Sequence, residues 1–273
     1  MIDYLTIGHI AQDITPKGTL LGGTVSYSSL TALALGLRVG MVTAHADGAV
    51  LDGLHDVSVH RIRSASSTVF ENVYTPSGRV QTLHARADTL TKESVPHEWR
   101  RASIVHLAPI AREIDPNMIE LFSSSLIGIT PQGFMRELDA KGHVSRGEWE
   151  SAEFLLKAAA ATVISIEDVA GDWGLAERWA AMATMFVVTQ ANEGATLFWQ
   201  NERYHYPAPQ VDVVEATGAG DIFAAAFFTR LWQTRDPHHA IRFAIALGSD
   251  SVTRVGVDSI PKSDFIDSLG SEG

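Results

Sequence analysis

The chain has 273 residues, 45% of them hydrophobic, 19% charged and none cysteine, and 21 Lys plus Arg against 32 Asp plus Glu give a formal charge of −11. That length and apolar share exclude disorder for the whole chain and allow one large domain or two small ones. Without thiols there is no disulfide framework, thiolate zinc site or cysteine nucleophile, and the acidic balance argues against nucleic acid and anionic membranes.

Met1 to Ile7 reads as a short apolar strand. It lacks the basic leader and long apolar run of a secretion signal. No later stretch approaches the roughly 18 to 20 apolar residues that span a bilayer, so the expectation is a soluble cytoplasmic protein. Val25 to Leu37 follows as a helix and Val39 to Ala44 as a buried strand. From Val57 to Leu90 the pattern alternates, with a Pro76-Ser77-Gly78 turn between two runs, which predicts an antiparallel hairpin in a small sheet outside the main one. One wet face suits a lid; an edge meander fits the same pattern. Ile104 to Ala108, Leu126 to Ile129, Thr162 to Ile166 and Phe186 to Thr189 are short runs rich in Val, Ile, Leu and Thr and read as buried strands. Pro116 to Ser123, Trp149 to Ala161 and Trp173 to Met185 read as helices between them. Such alternation predicts a parallel sheet covered on both faces. A second hairpin is expected at Ala195 to Trp199 and Tyr204 to Tyr206.

The most informative segment comes next. Val211 to Val214 reads as an apolar strand entering the small-residue turn Glu215-Ala216-Thr217-Gly218-Ala219-Gly220-Asp221, and then a helix apolar on nearly every side. Such a helix must be buried, which fixes its N-terminus rigidly. Backbone N–H groups of Gly218, Ala219 and Gly220, with the positive end of the helix dipole, would form an anion site. Asp221, one residue on, could take a proton from a substrate hydroxyl, or serve only as a helix N-cap. No Gly-Lys pair exists for a Walker loop, and Phe223 stands where a dinucleotide fingerprint needs a small residue.

This segment resembles the Asp-Thr-x-Gly-Ala-Gly-Asp signature of the ribokinase-like (PfkB) carbohydrate kinases. Leu21-Gly22-Gly23 resembles the family's N-terminal Gly-Gly motif, Gly8 to Asp13 the end of its first strand, and Val188-Thr189 with Glu193-Gly194-Ala195 its nucleotide-side motif. Pro207-Ala208-Pro209 sits where the family commonly has Pro-Ala. The resemblance implies a three-layer α/β/α fold with a mostly parallel central sheet: one kinase domain over 1–273, with a β lid from about 57–90 and part of 10–20. It implies Asp221 as general base, with Gly218, Ala219 and Gly220 as anion hole. It places Thr189, Glu193, Gly194, Thr217, Gly218 and Gly220 at the nucleotide, with Asn192 nearby, and Asp13, Gly22 and Gly23 at the substrate. ATP and magnesium are the implied cofactors. A polyol substrate and a nucleotide are the implied partners, with no nucleic acid and no membrane. Pairing of the lid with a second copy would make a homodimer; a solvent-facing meander fits as well.

The sequence departs from the family at several points. Ser165-Ile166-Glu167-Asp168 replaces Asn-x-x-Glu, leaving Ser165, Glu167 and Asp168 to reach magnesium through water, or to form a capped strand-to-helix loop. Glu215 and Ala216 alter a neighbourhood that in many relatives helps bind a monovalent cation, so a potassium requirement is not assumed. Ala191 replaces a glycine on the nucleotide side. Gln132-Gly133 with Arg136 looks like an element of the myo-inositol kinase-like branch and adds Gln132 and Arg136 to the substrate residues; a proline-initiated turn explains the same residues. The expected activity is transfer of the γ-phosphoryl group of ATP to a hydroxyl of a sugar, cyclitol or related polyol. The alternatives are a nucleoside kinase, with Phe70 or Tyr74 clamping a base, and a sugar-binding or regulatory relative with weak catalysis. The eleven histidines form no His-Glu-x-x-His element and read as surface or internally satisfied positions.

Overall fold

The computed structural model of the chain describes residues 1–16, 18–75 and 78–270. In chain order the strands are β1 (Tyr4–Ile7), β2 (Ala11–Thr15), β3 (Gly18–Gly22), β4 (Val39–His45), β5 (Ser58–Arg63), β6 (Thr68–Thr75), β7 (Gly78–Ala85), β8 (Ile104–Leu107), β9 (Leu126–Ile129), β10 (Arg136–Leu138), β11 (Val144–Arg146), β12 (Ala161–Ser165), β13 (Met185–Thr189), β14 (Ala195–Trp199) and β15 (Glu202–Tyr206). The α-helices are α1 (Thr24–Ala34), α2 (Ala152–Ala158), α3 (Trp173–Ala180), α4 (Ala219–Thr234), α5 (Pro237–Ser251) and α6 (Ser263–Gly270).

Nine strands make one sheet, in the order β15-β14-β13-β12-β9-β8-β1-β4-β5. Every neighbouring pair from β5 to β13 is parallel, while β14 and β15 add an antiparallel edge. Strands β1, β4, β8 and β9 are buried along their whole length, as continuous apolar runs under two helical layers must be. Tyr4, Met41 and Ile104 face α1, α4 and α5; Leu5, Val42 and Val105 face α2 and α3. This is a three-layer α/β/α fold.

The sheet also sets where α4 lies. Gly128 interrupts the apolar run of β9 because a Cβ there would come 2.5 Å from the Phe228 ring. The missing side chain lets α4 lie directly on the sheet. Phe228 stacks edge-on against His106 at 5.0 Å, and the apolar circumference of α4 is fully enclosed.

A four-stranded sheet in the order β3-β2-β6-β7 stands apart from the main one. It is built from two insertions, 11–22 and 68–85, joined by parallel pairing of β2 with β6. Asp13, Leu20, Phe70 and Leu83 occupy mutually opposed positions and so share one face. Phe70 and Leu83 pack there on Ile110 and Ala111 of the body. Ile14, Val73 and Val80 lie on the other face and are exposed. The β10-β11 hairpin adjoins the β7 edge through a Thr82–His143 bridge and a Leu83 N–H to Gly142 carbonyl bond of 2.8 Å.

Several expectations need correction. Ser58–Arg63 is not part of the small sheet; its apolar and polar alternation pairs parallel with β4 as the edge of the main one. Asp13 is not at the end of the first strand but on β2, antiparallel to β3. Val211 to Val214 is not a strand. Pro207 and Pro209 end the run beyond β15 by removing ladder donors. The valines stay exposed, and the N–H groups of Val214 and Glu215 turn to the Val252 carbonyl at 2.8 and 3.1 Å. The helix expected from Pro116 is a 3-10 segment over Pro116–Leu121, and the one expected from Trp149 spans only Ala152–Ala158. Pro76 and Ser77 of the expected turn, and the Tyr74 side chain, lie outside the described residues. In the second hairpin Gln200 and Asn201 both take positive φ, the two-residue geometry whose twist matches its strands.

Candidate active site

The turn before α4, the start of α1 and the segments that follow β9 and β12 come together around Asp221. α4 starts immediately after Gly218, whose φ is +80° and which provides no side-chain cap. A Cβ on Gly218 would lie 2.4 Å from Tyr27 Cδ1, so both the backbone conformation and the ring beneath require glycine. The Ala219 N–H turns back to Ala216 O at 3.2 Å. Among the described residues this leaves the first-turn amides of Gly220 and Asp221 without a backbone acceptor. Of the expected Gly218 to Gly220 set, only the Ala219 N–H is engaged by backbone, and the Asp221 N–H joins the others as a free donor.

Asp221 is the third residue of α4, not its cap. Its backbone is held by the Ser28 hydroxyl, which donates to the Asp221 carbonyl at 3.2 Å. Burial against α1 and the sheet pushes its carboxyl up to about 6; the Thr24 hydroxyl and the Arg136 charge pull it down and Asp168 pushes it further up. The Tyr27 hydroxyl is held far above the ordinary phenol range, first by burial and then by Asp221, Glu215 and Asp13. Asp13, Asp168, Asp221 and Arg136 thus share one electrostatic neighbourhood.

The two glycines of the N-terminal motif make room for this group. A Cβ on Gly22 would fall 1.9 Å from Asp13 Oδ2. Gly23, at φ +91°, precedes α1, and a Cβ there would meet the Ala11 amide and the His9 carbonyl, each at 2.8 Å. Gln132 and Arg136 are joined: Arg136 Nη2 donates to Gln132 Oε1 at 2.9 Å, and Gln132 Nε2 donates to Asp168 Oδ1 at 2.9 Å. Arg136 Nη1 also donates to the Ile110 carbonyl, and its guanidinium lies 5.0 Å from the Phe70 ring centre. Phe70 is buried beneath Arg136 and so is spent as a base clamp.

Ser165 and Asp168 form a reciprocal cap. The Ser165 hydroxyl accepts from Glu167 N–H at 3.2 Å, and Asp168 Oδ2 accepts from Ser165 N–H at 2.8 Å. Both oxygens of Asp168 are therefore engaged, while Glu167 is exposed. No group of three or more His, Asp or Glu side chains suited to a metal ion occurs among the described residues. Thr189 is the register partner of Ser165, and its hydroxyl donates to Ile164 O at 3.3 Å. Glu193 closes a 3-10 turn and Gly194 permits the hairpin, since its Cβ would sit 2.0 Å from Tyr206 O. Thr217 is exposed within the turn, one residue before Gly218. Thr189, Glu193 and Gly194 make no hydrogen bond to Asp221.

Sequence reasoning passed over Thr24, Tyr27 and Ser28. Thr24 follows the Gly-Gly pair directly, which was a usable signal; Tyr27 and Ser28 lie one turn into an ordinary helix and carried none.

Residues 157–263, which contain α4 and its preceding turn, match the profile of the pfkB family carbohydrate kinases. Over 95% of its length the chain is 23% identical to a cytidine kinase from Thermococcus kodakarensis, covering 99% of that protein. It superimposes on a pyrophosphate-dependent kinase of the ribokinase family, solved with a pyrophosphate analog and myo-inositol, with a TM-score of 0.79 and 22% identity, covering 91% of this chain and 94% of the other. Against ribokinase from Thermotoga maritima the TM-score is 0.74 at 18% identity, with both chains fully covered. Among the described residues no helix is long and apolar enough to cross a membrane. The signature turn lies inside the region that matches the pfkB family carbohydrate kinases, and the fold is the one seen in the ribokinase-family structures.

Proposed function

We propose that this kinase transfers the γ-phosphoryl group of ATP to a hydroxyl of a sugar, cyclitol or related polyol, with Asp221 as the base. The observation that carries this reading is Asp221 itself. It stands in the first turn of a buried helix, beside unpartnered amides, with its carboxyl raised toward neutrality and Arg136 and Asp13 in the same neighbourhood. A base with a pKa near 6 is mostly ionised at neutral pH yet still accepts a proton from a hydroxyl as it attacks. The Gly220 and Asp221 amides, with the α4 dipole, would steady negative charge on the transferring group. Asp13 and Arg136 would orient the acceptor, and the small sheet would exclude water as a competing acceptor.

A base-bearing donor fits better than pyrophosphate. The groove beside the α4 turn is lined by Gln210, Val211, Asp212, Val214 and Thr253, with Val213, Val255 and Val257 exposed nearby. An apolar lip suits a planar base and Asp212 suits a ribose hydroxyl, whereas a second phosphate needs cations. None of these lining residues is a cation, and Arg254, next in sequence to Thr253, is bound to Asp250. We assign Thr189, Glu193, Gly194 and Thr217 to the nucleotide side as well.

Asp168 is a fitting outer contact for magnesium arriving on the donor phosphates, with Ser165 and Glu167 beside it, and such an ion would neutralise phosphate charge. A monovalent cation near Glu215 fits poorly. Glu215 Oε2 already accepts from Gly256 N–H at 3.0 Å, and the Val252 carbonyl takes two N–H groups.

We assign the chain one kinase unit over 1–273, with the small sheet as lid. The exposed Ile14, Val73 and Val80 support pairing of two copies through that face, which a sizing column tests. A nucleoside acceptor is favoured by the full-length likeness to a cytidine kinase, and disfavoured by the burial of Phe70.

The test is ADP release with ATP as donor, or orthophosphate release with pyrophosphate as donor, over a panel of sugars, cyclitols and nucleosides, with and without magnesium. Turnover with a polyol and ATP is expected, and Asp221→Asn should fold normally and lose nearly all of it. Ligand binding without ADP release by the native chain would favour a regulatory protein, and near-normal turnover in Asp221→Asn would remove the assigned base.

A further inference from the structure

The chain passes between the large and small sheets four times, and all four passages meet at one fully buried residue, His9. His9 itself lies on the first, between β1 and β2. The second, from β3 into α1, runs over its carbonyl at Gly23, where a Cβ would come within 2.8 Å. The third enters β6 at Thr68, whose hydroxyl is 2.7 Å from His9 Nδ1. The fourth leaves β7 past Asp88, whose carbonyl is 2.9 Å from His9 Nε2. The His9 amide in turn donates to Glu113 at 3.0 Å, and the same buried carboxylate accepts from the Ile110 and Ala111 amides, on which Phe70 and Leu83 of the small sheet rest.

For a neutral ring the donors and acceptors close in only one way. The Asp88 carbonyl can only accept, so Nε2 carries a proton. The Thr68 oxygen already accepts the Ala87 amide at 3.1 Å, so its own proton is free to go to Nδ1. A neutral ring protonated on Nε2 satisfies every group, whereas an added Nδ1 proton would take the second lone pair of the Thr68 oxygen and turn the hydroxyl proton away from the ring. Burial holds the ring below the ordinary imidazole range, against the opposing pull of Glu113 and Asp88 and with Arg86 adding to the lowering. Both ring nitrogens are thus spent on the legs of the small sheet, and none is left for a ligand or a proton transfer.

We propose that His9, in its neutral Nε2-protonated form, is the positioning residue that seats the small sheet, and with it Asp13 four residues along, over the acceptor site. Its consequence for acceptor binding rests on the kinase reading; its structural part does not. Two arms test it. In uniformly 15N-labelled native protein at pH 7.5, the His9 ring should show a protonated Nε2 and an unprotonated Nδ1. The reverse tautomer or a charged ring overturns the proposal. In the second arm, Thr68→Val removes the hydroxyl at nearly constant shape, and Thr68→Ser restores it. Hydrogen exchange of β6 and β7 amides should quicken at least tenfold in the valine variant relative to β8 and β9, and return to within twofold in the serine variant. Equal acceleration in all four strands means general destabilisation, and no acceleration means no pin; either result overturns it. With any acceptor that gives ADP release, Thr68→Val should raise the acceptor KM fivefold or more and leave the ATP KM within twofold. Exchange and ring protonation are read without turnover, so failure of the kinase reading stays distinguishable from failure of this one.

Discussion

Replacing Gly218 with alanine asks two separate things of the structure. The residue sits at φ +80°, where an L side chain costs about 1–2 kcal/mol. Its new Cβ would also fall 2.4, 2.6 and 2.7 Å from three atoms of the Tyr27 ring, and forcing a methyl into a packed site costs roughly 1–3 kcal/mol. Against these stands a gain of about 0.4–1 kcal/mol from the stiffer unfolded chain. Gly218→Ala should therefore lose about 1–5 kcal/mol in urea unfolding. If the turn moves to relieve the clash, part of that loss reappears as displaced amides, and an ångström of displacement lowers turnover about a hundredfold. Tyr27→Leu separates the two costs, because it opens the space under residue 218 and leaves the backbone angle alone. The double variant should recover about 1–3 kcal/mol relative to additivity. Additive losses would show that the ring is not the obstacle, and unchanged stability with unchanged turnover would refute the reasoning entirely.

Three further outcomes follow from the buried ionisable groups. For the acceptor found by the panel, kcat/KM should fall tenfold per pH unit below about 6 if Asp221 is the base proposed above, because it must then be ionised and burial raises its pKa. Arg136→Leu should move that limb upward by removing a charge that lowers it, and a profile flat to pH 5 would contradict the assignment. Glu113→Gln keeps the shape but turns an NH2 group toward backbone donors, so it should cost about 2–4 kcal/mol; a loss below about 1 kcal/mol would show that those amides have other partners. His106 is held at about 3 by burial, with its ring bonded to Tyr4 and Thr130. Its folded value lies below the unfolded one, so its contribution is complete above pH 6.5 and is lost as pH falls toward 3. The stability gap between native protein and His106→Asn should shrink by about 1.4 kcal/mol per unit between pH 6 and 4, measured by denaturant titration.

The strands of the main sheet were legible because they are buried on both faces, and a run such as Ile104 to Leu107 has no other stable use. The turn before α4 was legible for a related reason, since glycines beside an all-apolar helix leave few options. Val211 to Val214 misled because β-branched composition measures fitness for a sheet and not the presence of a partner; two prolines had already ended the edge. The extent of the small sheet was misjudged at Ser58–Arg63, where alternation describes a half-covered strand equally well in either sheet. His9 and Glu113 were invisible for a different reason. Their importance lies in which distant backbone groups they face, and no local spacing records that His9 will meet Thr68 and Asp88.

The assembly of the small sheet from two insertions bears on the order in which the chain folds. Its central pairing, β2 with β6, joins residues more than fifty positions apart, and that loop can be closed cheaply only after β1, β4 and β5 have lined up beside one another. All six tryptophans, at 99, 149, 173, 179, 199 and 232, lie in the body. In refolding, tryptophan fluorescence should therefore reach its native value before the β6 and β7 amides gain protection, and simultaneous completion would mean that both sheets form in one step. The small sheet is, on this topology, made last and on a finished foundation.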